Sequence, residues 1–228
     1  MHPAQGYRFP EPVSYLEALA LQEELLALRL KDQIQDTFLF LEHKPVITLG
    51  RRGRMNHLRQ EKEYYTEKGI EIHTASRGGD ITWHGPGQLV LYPIRKLNSS
   101  HDYLSQLEEV AIQTCKAFDI NSFRKEGMAG AWTDSGKIAA IGFKLSKWVS
   151  YHGMSFNVCP NLREGFGTIV GCGLEGSQVS SLQHILNENS PSVDQVQEVM
   201  QQIIESVFEL KLELKNNTSA LKKVFENT

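Results

Sequence analysis

Cysteine is scarce in this sequence, with three among 228 residues, at positions 115, 159 and 172. An odd count at unrelated spacings suggests neither a disulfide framework nor a paired-cysteine metal site, so each cysteine is judged by its own surroundings. Long apolar runs are also missing. No stretch approaches the roughly 20 apolar residues of a membrane span, and the opening MHPAQGYRFPEP has no apolar core of the secretory kind. A soluble, intracellular chain with no membrane partner is expected. Positive charge is not in excess: 24 Lys and Arg against 27 Asp and Glu leave a net charge of −3, which argues against general nucleic-acid binding. The stretch RGGDITWHGPGQ contains neither GxGxxG nor a GKS or GKT ending, so a nucleotide-phosphate loop is not indicated there. No repeat, low-complexity tract or compositional break divides the chain, and one α+β domain over residues 1–228 is the economical reading.

What is present reads as alternating strands and helices. After Pro12, Ser14 and Glu17 stand at capping-box spacing, and Ala18, Leu21, Leu25 and Leu28 share one face of a long amphipathic helix. TFLFLEH and PVITLG are β-rich, ending at Gly50 before an exposed, basic loop, RRGRMNHLRQEKEY. IEIHTA and QLVLYPI are further strands. A second helix from about Asp102 to Asp119 places Leu107, Ala111, Cys115 and Phe118 on one stripe, which assigns Cys115 to the core. AGAWTD, KIAAIGFKL and WVSYHGMSFNV form a strand meander, and an irregular glycine-rich stretch follows. A final helix capped by Ser192 and Gln195 carries Val196, Met200, Ile203, Val207 and Leu210, ahead of a polar, frayed tail.

Three places have a composition suited to chemistry. RGGDITWHGPGQ holds four glycines, which permit positive φ and close backbone approach to a ligand, flanked by Arg77 and His84. A glycine-rich hairpin with an incidental histidine fits the same letters. Cys172 lies between Gly171 and Gly173, a setting that leaves a thiol accessible and backbone amides free to meet an oxyanion, although a lone cysteine is commonly a small buried hydrophobe. Lys137 opens the apolar strand KIAAIGF at the edge of a buried sheet, where it is either functional or a solvated strand-end lysine. His152 reads as a hydrogen-bonded structural histidine.

Taken together and in order, RGGDITWHGPGQLVLYPI, GKIAAIGFKLSKWVSYHGMSFNV and FGTIVGCG closely resemble the lipoyl(octanoyl) transferase family, and with HKPVITLGRR upstream the likeness spans about residues 38–182. The resemblance implies a mixed sheet flanked by helices, as in the catalytic domains of biotin and lipoate protein ligases. It implies transfer of an octanoyl group from acyl carrier protein to a lysine of lipoyl domains, those of 2-oxo-acid dehydrogenase complexes and the glycine cleavage H protein. Cys172 becomes the acyl-accepting nucleophile and Lys137 the residue that tunes it. The acyl site is implied to be lined by Arg77, Gly78, Gly79, Asp80, Ile81, Thr82, Trp83 and His84, with Ala140, Ile141 and Gly142 and with Gly153, Met154 and Ser155. The compartment implied is bacterial cytoplasm, or mitochondria or plastids in a eukaryote. The sequence departs from the family at Gly171, where proline is usual before the cysteine, and at Ser155 and Phe156, where small or aliphatic residues follow HG.

The implied chemistry needs neither metal nor ATP. An ammonium beside a thiol whose ordinary pKa is about 8.5 favours the thiolate, exchange between thioesters is nearly isoenergetic, and the acyl-enzyme is activated towards an amine. The rivals are an ATP-dependent lipoate or biotin ligase of the same fold, and a non-catalytic module that binds acyl carrier or lipoyl domains. Arg51, Arg52 and Arg54, with His57 and Arg59, form a local positive patch suited to docking an acidic carrier.

Overall fold

The computed structural model describes residues 2–162, 164–170 and 178–215. Strand β1 (His2–Arg8) precedes α1 (Tyr15–Leu30), then β2 (Thr37–Leu41), β3 (Val46–Leu49), α2 (Lys62–Glu67), β4 (Glu71–Thr74), β5 (Ile81–His84) and β6 (Gln88–Ile94). Helix α3 (Ser100–Ala117), strands β7 (Gly130–Thr133), β8 (Gly136–Ser146) and β9 (Val149–Asn157), helices α4 (Leu182–Leu186) and α5 (Val193–Val207) and strand β10 (Leu210–Lys215) complete the order.

The β-structure is split between two mixed sheets. Seven strands run in the order β10-β1-β2-β6-β9-β8-β7, with β1 parallel to both neighbours and the remaining pairs antiparallel. Three more run β4-β3-β5, parallel then antiparallel. The central strands of the large sheet are apolar on both faces because both are covered. In β2, Phe38 and Phe40 join the core under α3 and α5, whereas Leu39 and Leu41 face α1; β6 divides Leu89 and Leu91 from Val90 and Tyr92 in the same way.

Both capping boxes form, Ser14 with Glu17 and Ser192 with Gln195, and Cys115 is fully buried in the core. Several boundaries differ from the sequence reading. Helix α3 starts at Ser100 with Ser99 as its cap, and Asp102 is the third helical residue whose N–H that cap receives. Leu210 belongs to β10 instead of the last helix, because the chain turns at Phe208 and Glu209, where Glu209 has φ +54°. The opening residues form β1, whose pairing with β2 and β10 is non-local and leaves no local periodicity. The basic stretch after Gly50 includes a 3-10 turn at Met55–His57 and helix α2. Residues 171–177, and with them Cys172 and Gly171, lie outside the described residues, as does the polar tail from 216 onward.

Candidate active site

A cavity opens where the large sheet faces the Arg77–His84 segment. Its floor is a row of small or slim side chains set by register: Ala140 pairs with Ser155, which pairs with Val90, and Gly142 pairs with Gly153. A Cβ on Gly142 would stand 2.9 Å from the Gly78 carbonyl, so glycine there lets the Arg77–His84 segment approach the sheet, and one on Gly153 would stand only 2.4 Å from the Leu91 carbonyl of the adjacent strand β6. Tyr15, Tyr92 and His152 close one end; Phe166, Ile169 and Val179 flank the other, with Lys137.

Polar groups around this cavity are mostly committed to one another. The buried Arg77 guanidinium donates through Nη2 to the Thr48 carbonyl and hydroxyl, each at 2.7 Å, and through Nη1 to the Gly78 carbonyl at 2.9 Å, clamping the glycine segment to β3. Asp80 accepts from the Ile81 N–H at 2.7 Å and lies 2.8 Å from His57 Nδ1. His84 Nδ1 meets Gln88 Oε1 at 2.6 Å, Gln88 Nε2 donates to Asn157 Oδ1, and Asn157 Nδ2 donates to the Ser180 carbonyl. His43 Nε2 and the Tyr92 hydroxyl are 2.7 Å apart. His152, held at φ +56°, gives its backbone N–H to Gln22 Oε1 of α1 at 2.8 Å.

Burial keeps these rings neutral. It pulls His43 down to about 4 and, with Arg77 adding repulsion, His152 to about 3; His84 falls well below the ordinary histidine value from burial and then His43. Burial pushes Tyr15 up to about 12. The inner end thus holds neutral side chains around one tethered guanidinium, a lining suited to an uncharged chain. Among the described residues no group of three or more His, Cys, Asp or Glu could hold a metal ion, and no helix is long and apolar enough to cross a membrane.

Lys137 stands at the second position of β8, its Nζ 5.3 Å from the Trp132 ring centroid. Its carbonyl accepts the Ser180 N–H at 2.9 Å, and it bridges Val179 in parallel. On the other side of the 171–177 stretch, the Val170 N–H donates to the His57 carbonyl at 2.8 Å. Of the other site residues singled out in the sequence, Arg77, Gly79, Asp80, Ile81, Thr82, His84, Ala140, Ile141, Gly142, Gly153, Met154 and Ser155 line the cavity. Gly78 and Trp83 do not. Gly78 donates its N–H to the Phe143 carbonyl and faces an adjoining groove. Trp83 is buried in the small sheet's core against Phe166, 5.8 Å between ring centroids, in a cradle that Cβ atoms on Gly85 and Gly165 would fill. Arg51 and Arg52 line the adjoining groove, whereas Arg54 precedes the 3-10 turn and lines neither. Tyr15, Val90, Tyr92, Phe166, Ile169 and Val179 were not evident from sequence, since they read as ordinary core apolar and aromatic residues and meet only through tertiary packing.

Residues 14–206 match the model of the lipoyl protein ligase A/B catalytic domain. An octanoyltransferase of Caldicellulosiruptor saccharolyticus is 41% identical over 195 residues, covering 83% of each chain. The chain belongs to the octanoyltransferase family. Membership makes it an enzyme of the acyltransferase class. Solved structures show the same fold at low identity. A bipartite lipoate protein ligase from Thermoplasma acidophilum, described with its E2 lipoyl domain, superposes with a TM-score of 0.77 at 11% identity, covering all of this chain and 92% of that one. A lipoate-protein ligase A bound with ATP gives 0.77 at 12%, covering all of this chain and 94% of that one. The architecture is thus that of lipoate ligases, as the sequence resemblance implied.

Proposed function

We propose that this chain moves an octanoyl group from acyl carrier protein to a lysine of a lipoyl domain by way of a thioester on Cys172. One observation carries the reading: Lys137 lines the cavity, bridges Val179 and accepts the Ser180 N–H, both of which follow the cysteine-bearing stretch, while Val170, two residues before Cys172, is bonded to His57. The other two thiols suit a nucleophile poorly. Burial pushes Cys115 up to about 11, and burial with the Glu42 carboxyl nearby raises Cys159.

In the first half-reaction the Cys172 thiolate attacks the thioester carbonyl, a new C–S bond forms, the carrier's C–S bond breaks, and the departing thiolate takes a proton from the Lys137 ammonium. In the second, the target lysine amine attacks the acyl-enzyme and forms the amide. Its proton passes to Lys137 and Cys172 leaves as thiolate, so both groups return to their starting states. Gly79 and Gly142 leave the acyl chain close access to backbone, and Arg51, Arg52 and Arg54 meet the acidic carrier. Peptide mapping after incubation with octanoyl carrier protein tests the reading. A hydroxylamine-sensitive adduct on Cys172 is expected; an adduct confined to Cys115 or Cys159, with Cys172→Ser fully active, overturns it.

A further inference from the structure

Strand β8 is longer than the strand that covers its outer edge. It runs from Gly136 to Ser146, yet β7 pairs with it only as far as Ala140. The β8–β9 hairpin turns through Lys147 and Trp148, at φ +46° and +67°, a two-residue turn of the primed kind, so Ser146 and Val149 close the ladder as a hydrogen-bonded pair. Alternation then directs the backbone groups of Lys144, Gly142 and Ala140 towards β9 and those of Leu145, Phe143 and Ile141 outward. The Phe143 carbonyl receives the Gly78 N–H at 3.1 Å. The N–H groups of Phe143 and Leu145 and the carbonyls of Ile141 and Leu145 have no hydrogen-bond partner among the described residues, whereas the Gly130–Ala140 pairing takes up the Ile141 N–H.

This edge borders a groove of about 790 Å³, lined by Arg51 and Arg52 and by Leu104, Met128, Ala129 and Trp132. The groove and the acyl cavity share Gly79, Asp80, Lys137, Ile141 and Gly142. Its one acidic lining residue, Asp80, accepts from Ile81 and lies against His57, while Arg51, Arg52 and Lys144 supply positive charge.

We propose that this groove receives the phosphopantetheine arm on which a carrier protein presents its acyl thioester, an inference that rests on the acyl-transfer reading above. A cavity for the chain, a lysine shared by cavity and groove, a strand edge with outward amides and two arginines in the same groove match the parts of such a donor: acyl chain, thioester, two amides, phosphodiester. The six residues of β8 from Ala140 to Leu145, five steps apart, cover about 17 Å, close to the length of an extended arm. The amides add to β8 as a further strand would, and Arg51 and Arg52 meet the phosphate.

The test compares kcat/KM for octanoyl thioesters of N-acetylcysteamine, pantetheine and 4′-phosphopantetheine with the 228-residue chain. The second amide should raise kcat/KM by about fivefold, the scale of one hydrogen bond, and the phosphate should add a larger step. Leu145→Pro removes one outward N–H and leaves the β9 ladder alone, so the pantetheine to N-acetylcysteamine ratio should fall towards one. Ala129→Trp, which fills the groove, should do the same and stands in if the proline variant does not fold. Arg51→Ala with Arg52→Ala should remove the phosphate increment. Equal kcat/KM for the three donors in the unmodified chain, a ratio untouched by both groove variants, or competition by AMP but not by phosphopantetheine would overturn the inference. Absence of transfer from every donor, carrier protein included, would instead contradict the acyl-transfer reading. Calorimetric titration with phosphopantetheine alone then decides the groove, binding supporting it and no binding overturning it.

Discussion

Gly142 and Gly153 face each other across β8 and β9, and neither has room for a methyl group: the nearest carbonyl oxygens would stand 2.9 and 2.4 Å from an added Cβ. At Gly142 the obstacle is Gly78 with the Arg77 side chain behind it. Gly142→Ala should therefore displace the glycine segment as a whole, reducing transfer for every acyl length by about tenfold or more, since small misplacements of reacting groups are costly. A change in preferred length with undiminished rate would contradict this.

Ala140 is a better place to read chain length, because it lines the same cavity, is half-buried and pairs with Ser155 rather than a second glycine. Ala140→Leu should shift the preferred donor to shorter chains. Each methylene excluded from an apolar slot forfeits about 0.8 kcal/mol, roughly fourfold in kcat/KM. Competition between hexanoyl, octanoyl and decanoyl donors, resolved by mass, checks it; an unchanged profile would remove Ala140 from the chain's path.

Three buried histidines should make the fold acid-sensitive. Their folded values lie below the unfolded value of about 6.5, so between the two the unfolded chain binds more protons, and stability is complete above about pH 6.5 and lost as pH falls towards 4. For His43, pulled down to about 4, the linkage reaches about 3 kcal/mol at pH 4. Glu42, raised by burial, works in the opposite direction at the acid end. Urea midpoints should decline from pH 7 to pH 5, and a flat profile would mean that the rings are solvated.

Arg51 and Arg52 are exposed and line the groove, whereas Arg54 is exposed but lines neither cavity. Replacing the first two by alanine should lower kcat/KM for the carrier-bound donor and flatten its dependence on ionic strength, because exposed charges are screened over about 8 Å at physiological salt. Arg54→Ala should matter less. Equal losses on a carrier-free octanoyl thioester would point to damaged folding instead of docking.

The helix caps, the apolar runs of β2 and β6 and the β8–β9 meander were legible because each is written locally, within a few residues. Strand β1 was not, since Pro3 and Gly6 break its pattern and its partners lie some 30 and 210 positions away, at Phe38 and Leu214 for Gly6. The glycine segment reads as a ligand-holding surface or a plain hairpin, and most of it lines the cavity, but its letters could not say that Trp83 turns away into the small sheet while its neighbours Thr82 and His84 line the cavity. Tyr15 and Tyr92 were hidden for a different reason. An aromatic residue on a helix or strand looks the same whether it fills a core or bounds a vacancy, and only the opposing layer decides.

Helix α1 links a surface cap to the inner end of the cavity. Ser14 and Glu17 fix where the helix starts, Tyr15 is its first residue and lines the cavity, and Gln22, buried two turns on, holds the His152 backbone. One residue added or removed between Tyr15 and Gln22 would turn one anchor about 100° relative to the other. The first two turns of α1 should therefore tolerate substitution on their outer face yet no change in length, while insertions beyond Leu30, where the helix has ended, cost far less. Length variation among natural relatives and engineered insertions should fall on that side of Gln22, making the helix start a fixed ruler for the depth of the site.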